Sequence, residues 1–272
     1  MVDKPARIQV DNISLNFGEV QALLDVSFDI KQDELLAIIG PNGSGKTSLL
    51  NCISGYYRPQ KGDIRLDGQS VLGLPVYERT KLGFGRTFQN VELFLSLSVL
   101  ETLLAARFKF MKRGALSNVI YFGPTRNEEL EQRRIVEEII DFLELERVRH
   151  SIVGSLPYGL RKRVSIGVGL AVEPQILFLD EPLAGMNLEE KEDLVRFILD
   201  IHEGARFGYE SEFLNEGVKT IVIIEHDMGV VMDIAEKIVV IDFGHKIAEG
   251  LPEEISVSPG VIKAYLGETL TV

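Results

Sequence analysis

Four short, uninterrupted apolar runs punctuate the chain, at residues 35–39, 176–179, 221–224 and 238–241. Runs of this length without polar alternation belong to strands covered on both faces, so they predict a parallel α/β core. The first thirty residues are patterned differently. Leu24, Val26, Phe28 and Ile30 alternate with Asp25, Ser27 and Asp29, the period of a half-exposed strand. Residues 7–15 alternate less cleanly, and Gly18-Glu19 suits a turn between the two, which predicts an antiparallel sheet region.

From Ser98 the period changes to that of a helix. Ser98 is placed as N-cap with Glu101 three residues on, and Val99, Leu100, Leu103, Leu104, Phe108 and Met111 form the apolar face. A second helix is expected over about 128–145, where Leu130, Ile135, Val136, Ile139, Ile140 and Leu143 recur at helical spacing. With no strand-like run between Val99 and Ser155, this stretch reads as a helical subdomain inserted into the core. Residues 203–217, carrying three glycines and three aromatics, are longer than an ordinary helix-to-strand connection and read as a surface excursion.

A chain of 272 residues, 45% hydrophobic and 26% charged, can bury a large core without staples. Its formal charge of −12, with no offsetting basic block, argues against nonspecific nucleic-acid binding. The single cysteine, Cys52, excludes an internal disulfide and a cysteine cluster for zinc, and reads as a small core residue. No apolar stretch approaches the ~18 residues of a membrane span, and the polar start lacks the apolar segment of a secretory signal. A protein that stays inside the cell is expected.

The chemistry concentrates at the ends of the apolar runs. Gly40-Pro41-Asn42-Gly43-Ser44-Gly45-Lys46-Thr47 matches the phosphate-loop pattern, after a buried strand and before a segment from Ser48 that can open a helix. The glycines let backbone N–H groups turn inward onto phosphate oxygens, and the helix N-terminus adds partial positive charge. Lys46 is expected to reach the β- and γ-phosphates, and Thr47 to offer its hydroxyl to Mg²⁺. A second run ends in Asp180-Glu181-Pro182. Alternation along a strand sends the two carboxylates to opposite faces, which gives Asp180 to the metal and Glu181 to an attacking water, as general base or water orienter. His226 follows a third run, at the carboxyl strand end where open α/β sheets place their ligands.

In this order the motifs resemble the nucleotide-binding subunit of ATP-binding-cassette (ABC) transporters, over nearly the whole chain. The resemblance adds Gln89 within Arg86-Thr-Phe-Gln-Asn90, and Leu156-Pro157-Tyr158-Gly159-Leu160 at the place of the family signature. It implies a P-loop NTPase core with a mainly parallel sheet (34–94 and 165–250), an N-terminal antiparallel β subdomain (1–33), the helical insert (95–164) and a C-terminal helical tail (251–272). It implies ATP and Mg²⁺ as ligands, Phe17 as the ring on which adenine stacks, Gln89 as metal-site residue and link to the membrane partner, and His226 on the γ-phosphate. Pro157, Tyr158 and Gly159 would face the ATP of an opposite subunit.

The signature departs from the family's Leu-Ser-Gly-Gly-Gln: Pro157 stands for serine, Tyr158 for the first glycine and Leu160 for glutamine. Loss of the serine hydroxyl removes one phosphate donor, while Pro157 is suited to a first helical turn. Arg161-Lys162-Arg163 opposes the helix dipole unless an anion or acidic partner lies near. Asn187 stands where the family usually has aspartate. Arg86-Thr-Phe-Gln-Asn-Val-Glu-Leu-Phe94, Ala184-Gly-Met-Asn187, Glu225-His-Asp-Met228 and Val261-Ile-Lys-Ala-Tyr-Leu-Gly267 resemble the ATPase subunits of branched-chain amino-acid importers. That implies a head-to-tail pair with a second ATPase subunit, bound peripherally at the cytoplasmic face of the membrane through integral permease subunits. Uptake of a small solute, delivered by a periplasmic or extracellular binding protein, follows from the same resemblance. A non-transport ATPase of this class, a binding-only cassette and, more distantly, a phosphoryl-transfer kinase are the alternatives.

Overall fold

The computed structural model describes residues 5–87, 95–110, 124–204, 209 and 212–268. Its strands are β1 (Ala6–Phe17), β2 (Val20–Lys31), β3 (Leu35–Ile39), β4 (Lys61–Leu66), β5 (Gln69–Ser70), β6 (Phe84–Arg86), β7 (Ile176–Asp180), β8 (Thr220–Ile224), β9 (Lys237–Asp242) and β10 (His245–Gly250). Its helices are α1 (Lys46–Ser54), α2 (Val76–Lys81), α3 (Val99–Ala106), α4 (Pro124–Phe142), α5 (Tyr158–Leu170), α6 (Leu188–Glu203), α7 (Glu212–Glu216), α8 (Met228–Ile234), α9 (Pro252–Ser256) and α10 (Pro259–Glu268). The chain forms two compact units, one of residues 1–84, 175–184 and 218–272, the other of 85–174 and 185–217.

In the first unit the apolar runs form adjacent strands. The sheet order there is β10-β9-β3-β8-β7, with β3 parallel to both β8 and β9, β7 parallel to β8, and β10 antiparallel at the edge. Every residue of β3, β7 and β8 is buried. Alternate side chains, Leu36 and Ile38, Ile176 and Phe178, Val222 and Ile224, Val239 and Ile241, share one face of the sheet. They join Leu49, Leu50, Cys52 and Ile53 of α1 and the buried side of the antiparallel sheet in one core. Cys52 packs there with its thiol pushed up to about 12 by burial, an inert core residue as its isolation in the sequence implies.

The antiparallel sheet has the order β2-β1-β4-β5 and so extends beyond the first thirty residues to Ser70. The predicted alternation holds from Val26 to Ile30, but Leu23 rather than Leu24 is buried. A register shift between β1 and β2 and a left-handed Asp25 (φ 53°) form a bulge that moves Leu24 to the other face. Arg79 closes the far end of α1. Its guanidinium donates to the carbonyls of Cys52, Ile53 and Leu74 and takes over orphan acceptors of the last helical turn.

In the second unit α3 begins at Ser98 with a complete capping box to Glu101, as the sequence predicts. The second helix starts at Pro124, and its regular turns end at Phe142, three residues short of the expected end; a 3-10 turn follows at Glu146–Val148. Arg107, 1% exposed, ties this unit together by donating to Gln132 Oε1 (2.6 Å), Ala171 O (3.1 Å) and Glu173 Oε1 (2.8 Å). The excursion over 203–217 is pinched at its base, where a Cβ on Gly217 would meet Gly204 N at 2.5 Å. Its Tyr209 donates to Asp141 Oδ2 (3.2 Å), and burial followed by the neighbouring Asp141 pushes the phenol up to about 12. Phe207, one of the three aromatics read there, lies outside the described residues.

Candidate functional site

The phosphate loop, Asp180-Glu181 and His226 leave three neighbouring strands at the same end. Parallel β3, β8 and β7 stand in that order, with Ile38 opposite Ile224 and Ile224 opposite Asp180. At about 4.8 Å between strands, the carboxyl ends of β3 and β7 are roughly 10 Å apart, with the end of β8 between them. That spacing suits a polyphosphate.

Two glycines shape the loop where any side chain would collide. A Cβ on Gly40 (φ 152°) would stand 1.9 Å from Ile241 O, and one on Gly45 (φ 108°) 2.6 Å from Ala22 O. The β9–β10 turn buttresses the same segment, since Gly244 N–H donates to Ser44 O (2.8 Å) and Gly244 O accepts from Leu24 N–H (2.8 Å). Lys46 opens α1 with its stem buried, and its ammonium donates to Gly40 O and Pro41 O, both at 2.8 Å. The charge is thereby curled over the loop. Ser44 Oγ is buried with no hydrogen-bond partner, and α1 begins without a side-chain cap or an acidic residue in its first turn. An orphan hydroxyl, a cation and uncapped N–H groups in one turn form an anion-binding set, and the residues present fit the phosphates of ATP. A cavity of about 530 Å³ opens on the flank of this loop, between Pro41–Ser44, the Phe243 turn and Lys263 of α10.

Asp180 is the last residue of β7 and 2% exposed, on the face that Ile176 and Phe178 share with α1. Among the described residues no group of three or more His, Cys, Asp or Glu forms a protein cage for a metal. A single carboxylate with the Thr47 hydroxyl fits a cation that completes its shell with phosphate oxygens and water, as Mg²⁺ does. Glu181 corrects the alternation argument. The strand ends at Asp180, and Glu181 adopts a left-handed conformation (φ 47°), so a turn rather than the pleat sets its direction. Such backbone costs a non-glycine residue roughly 1–3 kcal/mol and persists where surrounding contacts fix it. Glu181 N–H donates to Ile224 O (3.0 Å), and two residues on Leu183 N–H donates to Glu225 Oε1 (2.8 Å).

Glu225 has no exposed surface, and its second oxygen accepts from His226 N–H at 3.2 Å and stands 3.8 Å from His226 Nδ1. Burial first, and the charge of Glu181 in addition, raise its pKa above the ordinary carboxylate value. Motif and resemblance leave Glu225 without a role; its one signal in the sequence is a carboxylate directly continuing a run of buried residues, where an unpaired charge is not tolerated. His226 itself is half exposed.

Phe17 ends β1 half exposed and packs edge-on against Tyr57 (5.2 Å between centroids, 78°), beyond the carboxyl end of α1. Gln89 lies outside the described residues. Pro157, Tyr158 and Gly159 belong to the second unit. There Pro157 is the N-cap of α5 (φ −52°, ψ 153°), one position before the first turn, and supplies no side-chain cap. Gly159 is buried against Glu190, whose Oε1 would lie 2.6 Å from a Cβ there, so a carboxylate faces the helix start. The basic run has acidic partners of its own: Arg163 pairs with Asp193 (2.9 Å) and Glu144 (3.3 Å). Arg161 and Lys162 lie over the Tyr158 ring at 5.6 and 5.5 Å. Asn187 caps α6, its side chain accepting from Glu190 N–H (3.0 Å), a task asparagine performs as well as aspartate.

Comparison with known proteins gives the family of the chain. Residues 23–184 match the ABC transporter family, and residues 245–270 match the C-terminal family of branched-chain amino acid ATP-binding cassette transporters. The high-affinity branched-chain amino acid transport ATP-binding protein BraF of Pseudomonas aeruginosa is 36% identical over 261 residues, 96% of this chain and 98% of its own. The ATP-binding cassette MJ1267 in its ADP conformation superposes with a TM-score of 0.79 at 29% identity, covering 97% of this chain and all of its own. The bacterial cassette MJ0796, solved as a dimer, gives 0.73 at 27% identity over 90% and 98% of the two chains. The chain belongs to the ATP-binding subunits of the ABC transporter family, with their P-loop NTPase fold, and is an ATPase.

Proposed function

We propose that this chain drives uptake of branched-chain or other hydrophobic amino acids, as the hydrolytic subunit of an importer at the cytoplasmic face of the membrane. The observation that carries the chemistry is the shared exit of three parallel strands, which delivers the phosphate loop, Asp180-Glu181 and His226 to one edge. Residues 40–48 bind the triphosphate, with Lys46 as the cation at its β- and γ-phosphates and Ser44 Oγ as a further donor. Thr47, Asp180 and Gln89 hold Mg²⁺, which neutralises phosphate charge when bound. Glu181 takes a proton from the attacking water, His226 donates to the γ-phosphate oxygens, and Phe17 offers a ring face to adenine.

The BraF match supports the amino-acid class, and the dimer of MJ0796 supports a paired assembly. In this reading the partner is a second copy or a paralogue, set head-to-tail, and Pro157, Tyr158 and Gly159 of one subunit close over the nucleotide of the other. No helix among the described residues is long and apolar enough to cross a membrane. Attachment is therefore assigned to integral permease subunits, contacted through the Gln89 segment and the helical insert, and solute specificity to those subunits and a solute-binding protein. No nucleic acid takes part. In this reading the antiparallel region, the P-loop core, the insert and the C-terminal tail act as a single cassette, in which ATP favours the closed pair and hydrolysis releases it.

Co-purification from native membrane with the permease, followed by ATPase assay with leucine, valine, glutamate, urea or spermidine at the binding protein, tests this. A severalfold rise with leucine and valine alone is expected. Stimulation confined to glutamate, urea or spermidine would replace the substrate class, and absence of any membrane subunit would overturn the transport role.

A further inference from the structure

We infer that Glu225 is a positioning residue of the hydrolytic centre, a buried carboxylate that holds both the Glu181 turn and the His226 segment. This rests on the roles proposed above for Glu181 and His226.

Glu225 directly continues β8, whose five residues are all buried, and its side chain is wholly enclosed. A charge is retained in such a place only where hydrogen bonds fix it. The two oxygens divide the task. Oε1 accepts from Leu183 N–H at 2.8 Å and holds the chain two residues beyond Glu181, while Oε2 accepts from His226 N–H at 3.2 Å. Glu181 sits in a left-handed conformation that its own sequence does not favour. Its N–H is pinned to Ile224 O, one residue before Glu225. The turn is thus gripped on both sides by the end of β8, once through a main-chain carbonyl and once through the Glu225 carboxylate. A neutral amide of the same size would accept from only one of the two N–H groups and turn its own NH2 toward the other. The side chain has no exposed surface from which to reach a substrate, so Glu225 works through its neighbours.

The test is Glu225→Gln in the full chain, read by turnover, equilibrium ATP affinity and thermal stability. Glu225→Asp, which keeps the charge but shortens the reach, is the second variant should the first fail to fold. Turnover is expected to fall about 10- to 100-fold, the cost of misplacing reacting groups by about an ångström. ATP affinity should stay within about twofold, because the phosphate loop is untouched. In a His226→Ala background the same substitution should lower the residual rate by a smaller factor than it lowers the native rate, since the His226 part of what it positions is already absent while the Glu181 turn still depends on it. Unchanged turnover, an equal fall in ATP affinity, or losses that multiply fully in the double variant would each overturn the inference. His226→Ala and Glu181→Gln alone separate the two levels. If both hydrolyse at the native rate, the assignment of the centre fails and this inference with it. If they are slow and Glu225→Gln is not, only the role of Glu225 fails.

Discussion

A Glu181→Gln chain is expected to bind ATP as the native chain does and to hydrolyse it roughly 10² to 10⁴ times more slowly, the range for loss of a general base. The substitution keeps volume and leaves the backbone contacts of the turn alone, since the hydrogen bond to Ile224 O comes from the main-chain N–H. What is lost is the proton acceptor. Native turnover in the variant, measured as phosphate release at saturating Mg-ATP, would remove Glu181 from the chemistry and leave the left-handed conformation at that position without a function.

Lys46→Ala acts one step earlier. The ammonium is held over the loop by Gly40 O and Pro41 O, with the rest of the side chain buried. A charge-assisted hydrogen bond contributes about 1.5–3 kcal/mol. Loss of contacts to two phosphates is therefore expected to weaken ATP binding by about 10²-fold or more. The two carbonyls that Lys46 serves are buried, so folding of the variant is checked by circular dichroism before its binding is read. Titration with a fluorescent ATP analogue measures this, and native affinity would mean that the loop does not seat the triphosphate.

The parts of this fold legible in the sequence are those in which burial is complete or chemistry fixes spacing. β3, β7, β8 and β9 stand out because both faces are covered, and the phosphate loop because its backbone tolerates only glycine where Ile241 and Ala22 approach. The capping box at Ser98 is equally local. What escaped depends on long-range pairing. The bulge that buries Leu23 instead of Leu24 arises from register with β1, and β4 and β5 join the antiparallel sheet across a separation that no local pattern reveals. β10 is an edge strand with no fully buried residue, so it carries no apolar run. Gly244 supports the loop through main-chain bonds, and Glu225 serves Leu183 across 42 residues. Neither dependence has a signature of composition or period. Gln89, named from resemblance, lies outside the described residues, and the proposed link to a permease rests on that resemblance.

The most direct test of the whole account is a crystal structure of the Glu181→Gln chain with Mg-ATP. The account predicts phosphates against the backbone of residues 40–48 with Lys46 upon them, the cation between Thr47 and Asp180, and position 181 and His226 facing the terminal phosphate. A nucleotide seated away from the carboxyl ends of β3, β8 and β7 would contradict it.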